Sequence, residues 1–200
     1  MAFKSALWGI AGYLAGSVPF GLIFSNLFSL GNLRSIGSGN IGATNVLRTG
    51  NKIAAILTLL SDASKGFLIV WLSQKCGQDL LVNYGVGLAS IIGHVWPVWV
   101  SFKGGKGVAT TLGVYFAWNP ILGSIVLTFW LVVAKVSRVS SLSALIAIGS
   151  SPFVSCLMWL IGLADVSLIV FNGLIVVLII YTHRENLKRI IRGREEKITL

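Results

Sequence analysis

Twelve consecutive residues, Gly37-Ser38-Gly39-Asn40-Ile41-Gly42-Ala43-Thr44-Asn45-Val46-Leu47-Arg48, carry more hydrogen-bonding chemistry than a connector needs. Glycines let backbone N–H groups approach an anion, Ser38, Asn40, Thr44 and Asn45 add hydroxyls and amides, and Arg48 presents a planar fork to phosphate oxygens. A second stretch, Ser101-Phe102-Lys103-Gly104-Gly105-Lys106-Gly107, sets Gly104, Gly105 and Gly107 around Lys106. It is no nucleotide P-loop: Gly107 follows Lys106 where Ser or Thr is required, and Val100 stands where the first glycine belongs. Both stretches suit a phosphate that is not part of a nucleotide.

Two further polar segments follow, Val136-Ser137-Arg138-Val139-Ser140-Ser141-Leu142-Ser143 and Tyr181-Thr182-His183-Arg184-Glu185-Asn186. His183 and Asn186 lie one helical turn apart, so the pair can address one ligand, although a lone histidine after an apolar run is as often an interfacial polar residue. Carboxylates are scarce. Glu185, Glu195 and Glu196 all fall in a basic tail, so a carboxylate cage for Mg²⁺ is hard to build, and no metal or other cofactor is expected. The His-x₄-Asp pair of soluble-type glycerolipid acyltransferases is missing, because Trp99 follows His94 and Lys188 follows His183 at that spacing.

Composition says what must position these residues. Of 200 residues 55% are hydrophobic and 11% charged, with a mean hydropathy of +0.86, which describes an all-α polytopic membrane protein. Sixteen Lys+Arg against six Asp+Glu read as cytoplasmic loops, a lipid bilayer with anionic head groups, and small polyanionic substrates, not as nucleic-acid binding. Cys76 and Cys156 have no partner spacing and are expected to be free thiols. The uncharged run 5–30 is long enough for an uncleaved first span. Run 53–72 carries Asp62 and Lys65 on one helical face as a neutralising pair, and run 80–100 ends in His94, Trp96, Pro97 and Trp99, aromatics that suit an interface.

The apolar stretch 108–134 is interrupted at Trp118-Asn119-Pro120, and it is either one kinked span or a hairpin of two short segments. With runs 142–163 and 166–181 as single spans, the hairpin places thirteen Lys/Arg on one side: Arg34, Arg48, Lys52, Lys103, Lys106, Lys135, Arg138, Arg184, Lys188, Arg189, Arg192, Arg194 and Lys197. The other side then holds Lys4 and Lys75, whereas a single span would split these fifteen five against ten. The positive-inside rule therefore favours seven transmembrane segments, two of them short, with the N-terminus outside and the C-terminus cytoplasmic. All four polar segments then share the cytoplasmic face, where they are expected to converge.

Three motifs in order along nearly the whole chain now carry a resemblance: Gly37 to Asn45, Gly93-His94 through Phe102-Lys103-Gly104-Gly105-Lys106-Gly107-Val108-Ala109-Thr110, and His183-Arg184-Glu185-Asn186. They resemble those of the bacterial acyl-phosphate:glycerol-3-phosphate acyltransferase family. The resemblance implies one integral-membrane acyltransferase domain over 1–200, in the inner membrane, with its site facing the cytoplasm. The implied reaction, the first step of phospholipid synthesis, moves a fatty acyl group from acyl phosphate to the sn-1 hydroxyl of glycerol 3-phosphate, giving lysophosphatidic acid and phosphate. Ser38 and Arg48, with Thr44 nearby, are implied phosphate contacts, and Gly104, Gly105, Lys106 and Gly107 a second phosphate loop. His183 and Asn186 are implied active-site polar groups, and Glu185 a structural glutamate. The serine before the sixth segment has several registers, with Ser141 and Ser143 preferred.

Because an acyl phosphate is already activated, the implied mechanism needs alignment and oxyanion stabilisation, with no covalent intermediate. Either His183 or a substrate phosphate oxygen takes the hydroxyl proton. The rival reading is a transporter or exchanger of phosphorylated small molecules, since broken helices and Gly-rich loops also build anion pathways. Against it stand the lack of a recognisable repeat and the gathering of the polar segments on one side.

Overall fold

A computed structural model of the protein describes residues 2–198, and every regular element among them is helical. Five helical stretches are long and apolar enough to cross a membrane: Phe3–Leu27, Lys52–Lys75, Leu80–Val100, Pro120–Ser137 and Ser140–Leu160. A sixth, Val166–Thr182, counts if it is taken together with Arg184–Ile191, from which it is bent by 65°. Ile53, Leu60, Leu131 and Val177 on these helices are all more than half exposed, a surface suited to hydrocarbon. The chain divides into two compact units, one ending at Ala117 and the other beginning at Trp118.

In the first unit α1 (Ala2–Gly16) and α2 (Phe20–Leu27) are separated by Ser17-Val18-Pro19, where proline cannot donate to the helical ladder. Next come α3 (Ala43–Leu47), α4 (Lys52–Lys75), α5 (Leu80–Val95) and α6 (Val108–Trp118). Asn51 starts α4 by accepting the Ala54 N–H at 2.9 Å. Small residues bring the spans together. A Cβ at Gly16 would lie 1.9 Å from the Ser90 carbonyl oxygen on α5, and one at Gly113 of α6 would lie 1.9 Å from that of Ala63 on α4. In lipid, where apolar side chains gain little by leaving the solvent, such close backbone packing holds helices together. Leu33, Val46, Ala54 and Ala55 form a buried cluster with Leu22, Phe24 and Leu47 packed against it, and this cluster seats the first polar loop.

The second unit opens with α7 (Pro120–Ser137), capped by Asn119, whose side-chain oxygen accepts the N–H groups of Ile121 at 3.0 Å and Leu122 at 3.3 Å. Pro120 occupies the first helical position, where its missing donor costs nothing. Asn-Pro thus breaks the apolar stretch, but the halves are unequal. α6 has 11 residues, whereas α7 has 18 and is long enough to cross alone, which corrects the expectation of two short segments. The reason is that no breaker follows Pro120 until the left-handed Arg138, at φ 56°.

The unit continues with α8 (Ser140–Gly149), α9 (Ser151–Leu160), α10 (Val166–Thr182) and α11 (Arg184–Ile191). Asn172 of α10 donates to Ser155 Oγ and to the Ser151 carbonyl of α9, a polar link between apolar helices. After α11 the chain reverses at Gly193, at φ 64°, with Gly193 N–H on Ile190 O and Arg194 N–H on Arg189 O at 2.8 Å. Ile198 then donates its N–H to Arg138 O at 2.7 Å, so the tail is part of the fold.

Candidate active site

The first polar loop is built around Asn45, which is 2% exposed. Its Nδ2 donates to Leu33 O at 2.9 Å and Asn40 O at 2.7 Å, while its Oδ1 accepts from Ser38 N–H at 3.1 Å and from Arg48 Nη1 at 3.4 Å. With its amide engaged in this way, Asn45 shapes the loop from within. Asn40 Oδ1 is likewise occupied by Gly42 N–H at 2.9 Å, a local turn contact. Ser38 is exposed at the apex, and Thr44 and Arg48 are half-buried beside it. Gly37 has φ 49°, and a Cβ there would lie 2.6 Å from Arg48 Cδ, so the guanidinium stem lies directly over the glycine.

In the second loop the structure changes the roles of two glycines. Gly105 N–H donates to His94 O and Gly104 N–H to Val95 O, each at 3.0 Å, so these amides cap the C-terminus of α5. A Cβ at Gly105 would lie 2.1 Å from His94 Nε2, so glycine is needed there for packing. Half-buried Lys106 and buried Gly107, at φ 88°, lead directly into α6. Arg34 Nη2 donates to Lys103 O at 2.6 Å and ties the two loops together. Sequence reasoning missed Arg34, whose only signal was its place just before the glycine-rich run.

In the second unit Ser141, Asn186 and Arg189 converge on Glu195. Its Oε1 accepts Ser141 Oγ at 2.7 Å and Asn186 Nδ2, and its Oε2 accepts Arg189 Nε at 2.7 Å. Glu185, expected as a structural glutamate, pairs on the surface with Lys188 at 3.0 Å, while Glu195 gathers the three donors. Gly193 was the legible signal for this, because a glycine after a helix can turn the chain back. The two candidate serines differ in their contacts: Ser141 joins the cluster, while Ser143 Oγ donates to Val139 O at 2.9 Å in its own helix.

His183 is 2% exposed, and its Nδ1 lies 2.8 Å from Ile179 O. A carbonyl only accepts, so Nδ1 carries a proton that it donates to Ile179 O. Partial burial opposes the charge on Glu195, but hydrogen bonds from Ser141, Asn186 and Arg189 outweigh it and hold the carboxyl below the usual glutamate range. Lys188 does the same for exposed Glu185. Among the described residues, no three His, Cys, Asp or Glu side chains gather where they could hold a metal ion.

The fold and these clusters define a multi-pass integral membrane protein with two sets of anion-type donors. A family model described as glycerol-3-phosphate acyltransferase matches residues 6–193. The chain is 48% identical to a glycerol-3-phosphate acyltransferase of Jannaschia sp., over 98% of this chain and 94% of that one. It is 45% identical to one of Methylobacillus flagellatus over 96% of each chain. It is also similar to the crystal structure of PlsY (YgiH), an integral membrane glycerol 3-phosphate acyltransferase, in its glycerol 3-phosphate form, with a TM-score of 0.88 and 37% identity over 98% of this chain and 96% of that one. For the lysophosphatidic acid form the TM-score is 0.85 at 35% identity, with the same coverage. The chain belongs to the glycerol-3-phosphate acyltransferase family.

Proposed function

We propose that the protein transfers a fatty acyl group from acyl phosphate to the sn-1 hydroxyl of glycerol 3-phosphate, releasing lysophosphatidic acid and inorganic phosphate. The observation that carries this reading is the match, over 98% of the chain, to relatives solved in a glycerol 3-phosphate form and a lysophosphatidic acid form, a substrate and a product of that reaction. One family model runs through both compact units, which supports a single acyltransferase domain. The distribution of Lys and Arg supports seven segments in the bacterial cytoplasmic membrane, with the N-terminus outside and the reaction at the cytoplasmic face.

Arg48, Ser38 and Thr44 bind one phosphate, held in place by Asn45 and by the core beneath the loop. Lys106, Gly107 and the N-terminal turn of α6 bind a second phosphate, on a base made by Gly104 and Gly105. The sn-1 oxygen attacks the acyl carbonyl carbon and forms the ester bond. The resulting oxyanion then collapses, and the bond to the phosphate oxygen breaks with its electron pair leaving on phosphate. Either His183 or a substrate phosphate oxygen accepts the hydroxyl proton. Asn186, with Ser141 set through Glu195, orients the polar end of the substrate. Two phosphate-bearing substrates account for two basic loops, and the acyl chain stays in the bilayer.

The donor is tested with purified protein in lipid nanodiscs, offered palmitoyl phosphate, palmitoyl-CoA or palmitoyl-acyl carrier protein beside glycerol 3-phosphate. Lysophosphatidic acid from palmitoyl phosphate alone is the expected result. Equal turnover from palmitoyl-CoA would overturn the donor assignment.

A further inference from the structure

Three ionisable side chains meet inside the first unit. Asp62 and Lys65 on α4 and His94 on the last turn of α5 are 3%, 7% and 5% exposed. Asp62 Oδ1 lies 2.7 Å from Lys65 Nζ and 3.5 Å from His94 Nδ1. Lys65 also donates to Val18 O at 2.8 Å, with the Phe20 ring centre 5.6 Å from its ammonium. Charged groups in a membrane span are costly unless paired, and Asp62 with Lys65 would already satisfy that need. Neutrality explains neither the third member nor where the outer contacts lead.

Each outer contact leads to the root of a polar loop. The His94 ring stands against Gly105, and the carbonyls of His94 and Val95 receive the Gly105 and Gly104 N–H groups. Asp62 thus faces the ring on which the second loop rests. Lys65 holds Val18 in the break between α1 and α2, and α2 presents Gly21 to the first loop, where a Cβ would lie 1.7 Å from Ile41 O. The bond from Arg34 to Lys103 O clasps the same two loops at their exposed side.

We propose that Asp62, Lys65 and His94 are positioning residues that lock the roots of both polar loops together and so set the spacing of the two phosphate sites without touching substrate. This rests on the reading that the loops hold substrate phosphates. A merely stabilising cluster would affect how much enzyme is folded. A positioning cluster would affect how well the folded enzyme binds.

The test compares wild type with Asp62→Asn, Lys65→Met and His94→Gln in nanodiscs, measuring melting temperature, folded fraction, kcat per folded molecule and KM for glycerol 3-phosphate and for palmitoyl phosphate. The expected result is a rise of about tenfold in at least one KM, with kcat per folded molecule changed by less than about threefold. Gly105→Ala combined with His94→Gln is expected to raise KM by less than the product of the single effects, since the two residues share one contact. Wild type that forms no lysophosphatidic acid would overturn the acyltransferase reading. Active wild type with unchanged KM in all folded variants would overturn the positioning role alone, as would three variants that all fail to fold, because the cluster would then be structural only.

Discussion

Ser141 Oγ donates to Glu195 Oε1 at 2.7 Å across 54 positions of sequence, and Asn186 Nδ2 meets the same oxygen. The start of α8 and the first turn of α11 are therefore joined by one carboxylate from the returning tail. Glu195→Gln keeps the shape but removes the charge that Arg189 faces. It is expected to cost about 1 kcal/mol of stability, discounted for partial exposure, and to lower kcat roughly tenfold by loosening Ser141 and Asn186. Thermal melting and steady-state kinetics in nanodiscs check both effects, and wild-type kinetics in this variant would remove Glu195 from the account.

The same carboxylate sets a pH dependence. Its folded value lies below the ordinary 4.5, so its contribution is fully present above pH 4.5 and is lost as pH falls through the lowered value. Wild-type melting temperature is therefore expected to fall more steeply below pH 4.5 than that of Glu195→Gln. Parallel curves for the two proteins would contradict the assignment.

Ser141 and Ser143 should separate cleanly. Ser143→Ala removes only a bond to its own helix and is expected to change stability by less than about 0.5 kcal/mol and leave kcat/KM near wild type. Ser141→Ala breaks the Glu195 cluster and should lower kcat/KM roughly tenfold. A reversed order in the same assay would return the register to Ser143.

Asn45→Ala leaves the Leu33 and Asn40 carbonyls without their donor and frees Ser38 and Arg48 from a shared anchor. A destabilisation of about 2–4 kcal/mol is expected, with faster amide exchange at residues 37–41 and a raised KM for a phosphate-bearing substrate. Unchanged exchange in that loop would show that Asn45 is not its organiser.

Much of this was legible in the sequence because membrane spans carry strong signals. The break at Asn119-Pro120 could be read from backbone chemistry alone, as could the runs that became α4, α5 and α10. The length of α7 could not, since Lys135 and Ser137 are polar yet remain helical. Side-chain direction was the hidden quantity at the site. Gly104 and Gly105 look the same in sequence whether their N–H groups face a phosphate or cap α5, and only the position of His94 decides. Asn45 reads as a ligand until its amide is seen engaged with Leu33, Asn40, Ser38 and Arg48. Glu185 and Glu195 differ through the turn at Gly193, which brings the second back and leaves the first on the surface.

The most direct test follows lysophosphatidic acid and inorganic phosphate together, from palmitoyl phosphate and glycerol 3-phosphate, with purified wild type and Arg48→Ala in nanodiscs. The account predicts equal amounts of the two products from wild type and, from an equally folded Arg48→Ala, a loss of turnover of about a hundredfold or more. Folded wild type that yields no lysophosphatidic acid, or Arg48→Ala that turns over like wild type, would contradict it.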